Sequence, residues 1–104
     1  MMIMSIMSQI KYKKLSGNEL DDIVKNMSGW EIKDGKLEKV FKFSNFVEAF
    51  GFMTKIALEA EKINHHPEWT NVYNTVSVKL STHDADGITD YDIKLARIID
   101  TTSP

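Results

Sequence analysis

The stretch EKINHHPEW, residues 61–69, places two adjacent histidines directly before a proline, at the end of a long apolar-faced segment. Upstream of it, residues 44–64 carry apolar side chains at helical spacing, which predicts a helix roughly 30 Å long. A proline disfavours helical backbone at the residue before it, so Pro67 should end this helix at about His65. The two imidazoles are therefore predicted to lie where a long helix gives way to an extended segment.

Downstream of this stretch the sequence alternates between apolar and polar residues, as half-buried strands do. We predict two strands, over residues 72–74 and 75–81. His83 follows on the polar face at the end of the second strand. Since neighbouring strands lie side by side, we expect His83 to come close to the histidine doublet.

A third helix is predicted at the C-terminal end of the chain. Residues 84–87 read DADG and favour a turn. Thr89 follows, and Asp92 three positions later completes a helix-capping pair. The apolar face of this helix reaches Ile99, and residues 100–104 are predicted to be a short polar tail.

Upstream of the long helix the sequence predicts a shorter helix and a β-hairpin. An SGNE capping box precedes a helix over residues 17–27. Residues 30–33 and 36–43 favour strands, and the Asp-Gly pair between them suits a type I′ turn. Lys39 interrupts the apolar alternation of the second strand, so the solvent-facing side of this strand is poorly defined.

The order of elements is helix, strand, strand, helix, strand, strand, helix. Pairs of consecutive strands favour antiparallel pairing, and the helices can then cover one face of the sheet. The predicted class is therefore α+β. Such an open sheet has unpaired edges, which favours homo-oligomerisation.

Composition narrows the possible functions. The chain has 104 residues, a net charge of −2 and no cysteine. We treat residues 1–104 as a single domain in which residues 1–14 are an N-terminal tail or extension. The charge gives no support for direct nucleic-acid binding, and the missing cysteines exclude disulfides, thiolate catalysis and sulfur-ligated zinc. Because no signal peptide or run of roughly 20 apolar residues is present, no membrane association is predicted and a cytoplasmic location is expected.

The histidines suggest proton transfer in a pocket for a flat polar molecule. Glu61 and His65 are four residues apart, so on a helix their side chains can hydrogen-bond. A carboxylate that fixes the tautomer of an imidazole suits general acid–base catalysis. Trp69 offers a flat face for stacking a planar ligand. With His83 from the adjacent strand, the pocket would hold three imidazoles, a carboxylate and an indole.

Simpler explanations are compatible with the same residues. The pair of Glu61 and His65 could be a surface ion pair worth roughly 0.2–0.5 kcal/mol, and Trp69 could belong to the core or to an interface. Asp92 suits a helix N-terminus, and Thr82 and Asp84 suit a turn. Glu61, His65 and His83 also make a two-histidine, one-carboxylate metal set, although no HExxH motif supports one.

The spacing of these residues resembles the signature of a known family. Glu61, the His65-His66-Pro67 run, Tyr73, His83 and Asp92 follow one another as they do in the pterin-4a-carbinolamine dehydratases. The similarity covers residues 16–99. Asn64, where an aspartate is frequent, departs from the commonest pattern, but it carries none of the proposed proton transfers.

The resemblance implies a four-stranded antiparallel sheet with three helices on one face, assembled as a homodimer or homotetramer. It also implies removal of water from 4a-hydroxytetrahydrobiopterin to give quinonoid dihydrobiopterin, without a cofactor or metal. By position, His65, His66 and His83 would be the active-site imidazoles, with Glu61 supporting His65. Dehydration needs an acid and a base, and our hypothesis is that His65 is the acid and that His83 or His66 takes the base or binding role. The residues that would bind or border the pterin are Trp69, Asn64, Thr82, Asp84 and Asp92.

The resemblance also implies a second class of function. Animal relatives act as dimerisation cofactors for a homeodomain transcription factor through their helical face, which adds the nucleus to the expected locations. In this chain the helix over residues 45–64 carries more large apolar side chains than a small sheet needs for cover. A protein partner that binds through this helix is therefore the alternative prediction.

Overall fold

The computed structural model describes residues 11–103. The elements, in chain order, are α1 (Gly17–Val24), β1 (Glu31–Lys33), β2 (Lys36–Lys42), α2 (Phe46–Ile63), β3 (Glu68–Val72), β4 (Thr75–Leu80) and α3 (Asp90–Thr102). A short 3₁₀ turn, His83–Ala85, lies between β4 and α3. The predicted α+β class and order of elements are confirmed. The predicted tail, residues 1–14, falls largely outside the described residues.

The four strands form one antiparallel sheet in the order β1-β2-β4-β3. Asp34 and Gly35 both have positive φ, as the predicted type I′ turn requires. The strand predicted over residues 72–74 is wrong, because β3 begins at Glu68 and ends at Val72. Polar residues dominate β3, so apolar alternation could not reveal it, whereas pairing with β4 fixes its position.

The core lies between the sheet and the helices. The sheet contributes buried side chains from β2 and β4, and α2 and α3 supply the opposite layer. The fully buried large apolar residues are Leu37, Val76, Val78, Leu80, Ile56, Leu95 and Ile99. Burial of each such side chain contributes roughly 1.5–3 kcal/mol, which is the main force that holds this sheet and its helices together.

Lys39 is the lysine that interrupts the apolar alternation of β2, and the structure explains it. Its side chain crosses the aromatic rings of Trp30 and Phe41, and its Nζ lies 2.7 Å from Oδ1 of Asp100. The buried indole N–H of Trp30 donates to Oδ2 of the same carboxylate at 2.9 Å. The predicted polar tail is wrong, because Asp100 belongs to α3 and its carboxylate binds both Trp30 and Lys39.

The ends of α1 and α2 differ from the sequence prediction. The helix of α1 ends at Val24 rather than at Met27, because the amide of Met27 turns back to the carbonyl of Val24. In α2, the left-handed backbone of Asn64 ends the helix, and the amide of His65 bonds to the carbonyl of Ala60. The local backbone at Asn64, rather than Pro67, is therefore the stop signal.

The outer side of α2 carries large apolar side chains beside charged ones. Its large exposed side chains are Phe46, Val47, Phe50 and Leu58. None of the helices within residues 11–103 combines the length and the apolar character needed to cross a membrane.

Candidate active site

The exit from α2 sends the two adjacent histidines into different surroundings. Asn64 takes a φ of 50°, so the chain leaves the helix axis before the doublet. The side chain of His65 is then buried, with 7% of its surface exposed, whereas that of His66 is 55% exposed. Two imidazoles that are neighbours in sequence therefore have separate partners.

His65 is bound to a buried carboxylate. Its Nε2 lies 2.5 Å from Oδ1 of Asp92, a residue with no exposed surface. A carboxylate can only accept hydrogen bonds, so Nε2 of His65 carries the proton that it donates. Asp92 thereby fixes both the tautomer and the orientation of this imidazole.

The second oxygen of Asp92 is held by the segment that enters α3. Oδ2 accepts from the Thr82 hydroxyl and from the Thr89 backbone N–H, both at 2.8 Å. Because Thr82 gives its hydrogen to Asp92, the 2.7 Å bond between the two threonine hydroxyls runs from Thr89 to Thr82. The Thr89 oxygen in turn accepts from the backbone N–H of Tyr91 at 3.2 Å. The donor and the acceptor of each hydrogen bond in this buried network are therefore assigned.

His66 is paired with Glu61, and the predicted pairing of Glu61 with His65 is wrong. Nε2 of His66 lies 2.6 Å from Oε1 of Glu61. The predicted pair required helical backbone through His65, but the left-handed turn at Asn64 moves His65 off that face. Glu61 thus supports the exposed imidazole, and Asp92 supports the buried one.

His83 lies on a small loop with a closed base. The Thr82 N–H donates to the Gly87 carbonyl at 2.8 Å, and this bridge joins the two ends of the loop. The side chain of His83 is fully exposed, and its Nδ1 lies 3.9 Å from a carboxylate oxygen of Asp84. The loop therefore exposes the imidazole of His83 to solvent, and Thr82 at the start of the loop belongs to the Asp92 network.

A cleft of about 610 Å³ brings the exposed histidines together. It is lined by residues of the β1–β2 turn, the start of β3 and the loop after β4, which include His66, Thr82 and His83. Thr82 is the point at which the cleft meets the buried network, because it lines the cleft and also donates to Asp92. The cleft is large enough for a bicyclic heterocycle.

An ion pair crosses the rim of this cleft. Nζ of Lys36 lies 2.7 Å from Oε1 of Glu68. The hydrogen bond between them raises the pKa of Lys36 and lowers the pKa of Glu68, so both groups stay charged over a wide range of pH. No sequence pattern marks this pair, because its two members lie 32 residues apart and meet only through the sheet.

The remaining predicted residues have other positions. Trp69 lies on the helix-facing side of β3, where it packs against the core and borders a separate depression, so it does not line the cleft. Asn64 is the C-cap of α2. Within residues 11–103, no group of three or more potential ligands is placed to hold a metal ion. Glu61, His65 and His83, the candidate metal set, are not brought together as such a group.

Two aromatic residues that the sequence analysis did not single out surround His65. The ring of Tyr12 lies 6.1 Å from the imidazole, and that of Tyr91 lies 5.8 Å from it. Tyr12 precedes the first predicted helix, and no periodicity or motif marks it. Only the tertiary contact between the N-terminal segment and α3 could have found it.

Comparison with known proteins agrees with this fold. Residues 13–102 match the family model described as pterin 4 alpha carbinolamine dehydratase. A relative from Rhizobium rhizogenes that carries the family's name is 55% identical, over 88% of this chain and 92% of its own length. Another from Prochlorococcus marinus is 57% identical, over 85% of this chain and 92% of its own length.

A solved structure extends the comparison to three dimensions. The crystal structure of a transcriptional coactivator/pterin dehydratase from Brucella melitensis superimposes with a TM-score of 0.85 and 41% sequence identity. The alignment covers 88% of this chain and all of the other. The resemblance seen in the sequence is thereby confirmed, and the chain belongs to the pterin-4a-carbinolamine dehydratase family.

Proposed function

We propose that the protein removes water from a pterin 4a-carbinolamine, with 4a-hydroxytetrahydrobiopterin as the substrate and quinonoid dihydrobiopterin as the product. The observation that carries the proposal is the cleft in which His66, His83 and Thr82 meet. Membership of the family supports the choice of a pterin as the ligand.

The reaction needs one proton delivered and one removed. Protonation of the 4a-hydroxyl lets it leave as water while the C–O bond breaks. The lone pair on the adjacent ring nitrogen then forms the C=N bond, and a base accepts a proton from the ring. The protein groups end the cycle with the same total number of protons, so acid–base side chains are sufficient for the chemistry.

The geometry favours His66 and His83 as the groups that exchange these protons. Both imidazoles line the cleft, and Glu61 orients the ring of His66. The pair of His65 and Asp92 holds Thr82 at the floor of the cleft. This division differs from the one predicted from sequence, in which His65 is the acid.

Kinetics of single variants test the proposal. Loss of the carbinolamine is followed by ultraviolet absorbance in the presence of the protein, against the spontaneous rate in buffer. No acceleration by the wild-type protein would exclude dehydratase activity. His66→Gln and His83→Gln should each lower kcat/KM by about 100-fold or more, as removal of a general acid or base does. If only His65→Gln has an effect of this size, the acid belongs to His65 as the sequence predicted.

A second proposal concerns a protein-binding face. The side chains of Val47, Phe50 and Leu58 are 79%, 55% and 62% exposed on the outer side of α2. Their spacing puts them on one stripe, which fits helix-to-helix packing with another copy in a homodimer or homotetramer. Light scattering of the wild type and of Leu58→Asp tests this association. An unchanged molar mass in the variant would count against the face, and a monomeric wild type would leave it available to a different protein.

A further inference from the structure

The segment that precedes α1 is tied to the segment that enters α3. Residues 12–15, which we call the N-terminal strap, run antiparallel to residues 88–90, with Lys14 opposite Thr89. The Leu15 amide donates to the Ile88 carbonyl and the Asp90 amide donates to the Lys13 carbonyl, each at 3.1 Å. The strap is therefore held by backbone pairing, which places Tyr12 near the buried imidazole of His65.

The first side chain of the strap, Tyr12, lies beside the buried histidine. The ring of Tyr12 packs edge-on against that of Tyr91, with centroids 5.1 Å apart and an interplanar angle of 77°. Both rings also contact His65, so the imidazole has aromatic neighbours from the strap and from α3. Such edge-to-face packing contributes about 0.5–1.5 kcal/mol per pair beyond burial and fixes the relative positions of the rings.

Tyr12 also remains uncharged in this position. Burial raises the pKa of its phenol, and the negative charges of Asp84 and Asp92 raise it further. A neutral ring can shield the hydrogen bond between His65 and Asp92 from water without adding a charge next to the carboxylate. Exclusion of water strengthens electrostatic interactions of this kind, because the local dielectric constant falls.

The strap also contacts the loop that carries His83. Nζ of Lys14 lies 3.1 Å from the backbone carbonyl of Asp86, at the end of that loop. The lysine side chain also passes close to Gly87, because a Cβ at this position would lie 2.9 Å from Cε of Lys14. The strap therefore contacts the active site at two places. One is the buried imidazole of His65, and the other is the end of the loop that carries His83.

We propose that the N-terminal strap is a positioning element of the active site, in which Tyr12 closes the pair of His65 and Asp92 against water. Tyr12 lies just outside residues 13–102, the part of the chain that matches the family model. The kinetic consequence rests on the proposed dehydratase function. The structural claim, that the Nε2 proton of His65 is protected by the Tyr12 ring, can be measured without substrate.

The experiment compares Tyr12→Ala with Tyr12→Phe, and Lys11→Ala serves as the control at an exposed neighbour. Nuclear magnetic resonance of the ligand-free protein measures the exchange of the His65 Nε2 proton with water. We expect a slowly exchanging signal in the wild type, Tyr12→Phe and Lys11→Ala, and its loss in Tyr12→Ala. Tyr12→Leu, which keeps apolar bulk, replaces Tyr12→Ala if the alanine variant does not fold, and it should exchange faster than Tyr12→Phe.

Kinetics complete the test. Tyr12→Ala should lower kcat by about 10-fold, because a loosened pair of His65 and Asp92 would let Thr82 and the adjacent His83 shift. A shift of active-site groups by a fraction of an ångström has effects of this order. KM should stay nearly unchanged, since Tyr12 does not line the cleft, and Tyr12→Phe should restore kcat. A protected signal in Tyr12→Ala, fast exchange in the wild type, or equal effects of alanine and phenylalanine would overturn the proposal. If the wild type lacks dehydratase activity, the exchange measurement alone still decides the role of Tyr12.

Discussion

Replacement of Asp92 by asparagine perturbs the buried network with little change in shape. The two oxygens of Asp92 accept hydrogen bonds from His65, Thr82 and the Thr89 backbone. Asparagine removes the negative charge and turns one of the two acceptors into a donor. The Thr89 backbone N–H can only donate, so the amide oxygen should face Thr82 and Thr89, and the NH₂ group then faces the Nε2–H of His65. The imidazole must then move its proton to Nδ1 to keep a hydrogen bond.

The expected loss of stability follows from these three bonds. Hydrogen bonds to a charged group contribute about 1.5–3 kcal/mol and neutral ones about 0.5–1.5 kcal/mol. The bonds from Thr82 and Thr89 to the amide oxygen, and the reversed bond with His65, should therefore each be weaker by about 1 kcal/mol. Loss of negative charge from the first turn of α3 adds about 0.3–1 kcal/mol. We therefore expect Asp92→Asn to lower the free energy of unfolding by about 2–4 kcal/mol, which lowers Tm by about 10 °C or more.

Urea denaturation at neutral pH measures this loss, and Asp90→Asn is the matched control. Asp90 lies in the same first turn, but it is exposed and accepts one hydrogen bond, from the Lys13 amide at 2.9 Å. The control should lose less than about 1 kcal/mol. Equal losses in the two variants would show that the buried hydrogen bonds of Asp92 add nothing beyond a carboxylate in the first turn of α3. A His65 ring that keeps its proton on Nε2 in Asp92→Asn would contradict the assigned hydrogen bonds, since the network requires the tautomer to switch.

Three further predictions concern the fold. Asp100→Ala should lower the free energy of unfolding by about 1–3 kcal/mol, because it leaves the buried N–H of Trp30 without its acceptor; urea denaturation beside the exposed Asp22→Ala checks this, and equal losses would contradict it. Hydrogen bonds from Ser16 lower the pKa of Glu19 from its usual 4.5, so this carboxylate stabilises the fold above that pH and the contribution disappears as the pH falls through the lowered value. The stability difference between the wild type and Glu19→Gln should therefore be largest near neutral pH and vanish in acid, and a difference independent of pH would argue against the capping role. Asn64→Gly should keep stability and activity while Asn64→Ala loses about 1 kcal/mol; loss of kcat/KM in a stable Asn64→Gly would instead indicate a direct role for the amide in binding.

Local sequence signals predicted most of the fold because they act over a few residues. The capping boxes that begin α1 and α3 are both formed. The Asp34-Gly35 turn and the alternation of β4 are likewise local, and both are confirmed. Periodicity failed at β3, where polar residues hide the strand, and at Asp100, where a polar residue serves a buried tryptophan. In both places tertiary contacts determine the structure, and a window of sequence does not contain them.

The sequence predicted the residues of the candidate site better than the contacts between them. His66, Thr82 and His83 are candidates from the sequence, and the structure places all three around one cleft. The predicted partner of Glu61 is the wrong imidazole, because the helical spacing of Glu61 and His65 has no meaning once the helix has ended. Tyr12 and the rim pair of Lys36 and Glu68 carried no signal, since each contact joins segments that only the folded sheet and helices bring together.

The left-handed turn at Asn64, and not Pro67, separates the two adjacent histidines. Pro67 restricts the backbone of His66, but His65 has already left the helix at the left-handed turn of Asn64. This turn directs His65 toward Asp92, behind Thr82, and lets His66 fold back onto Glu61 at the surface. His65 is then buried behind Thr82, while His66, paired with Glu61, lines the cleft. The two adjacent imidazoles therefore have separate partners because the residue before them takes left-handed backbone.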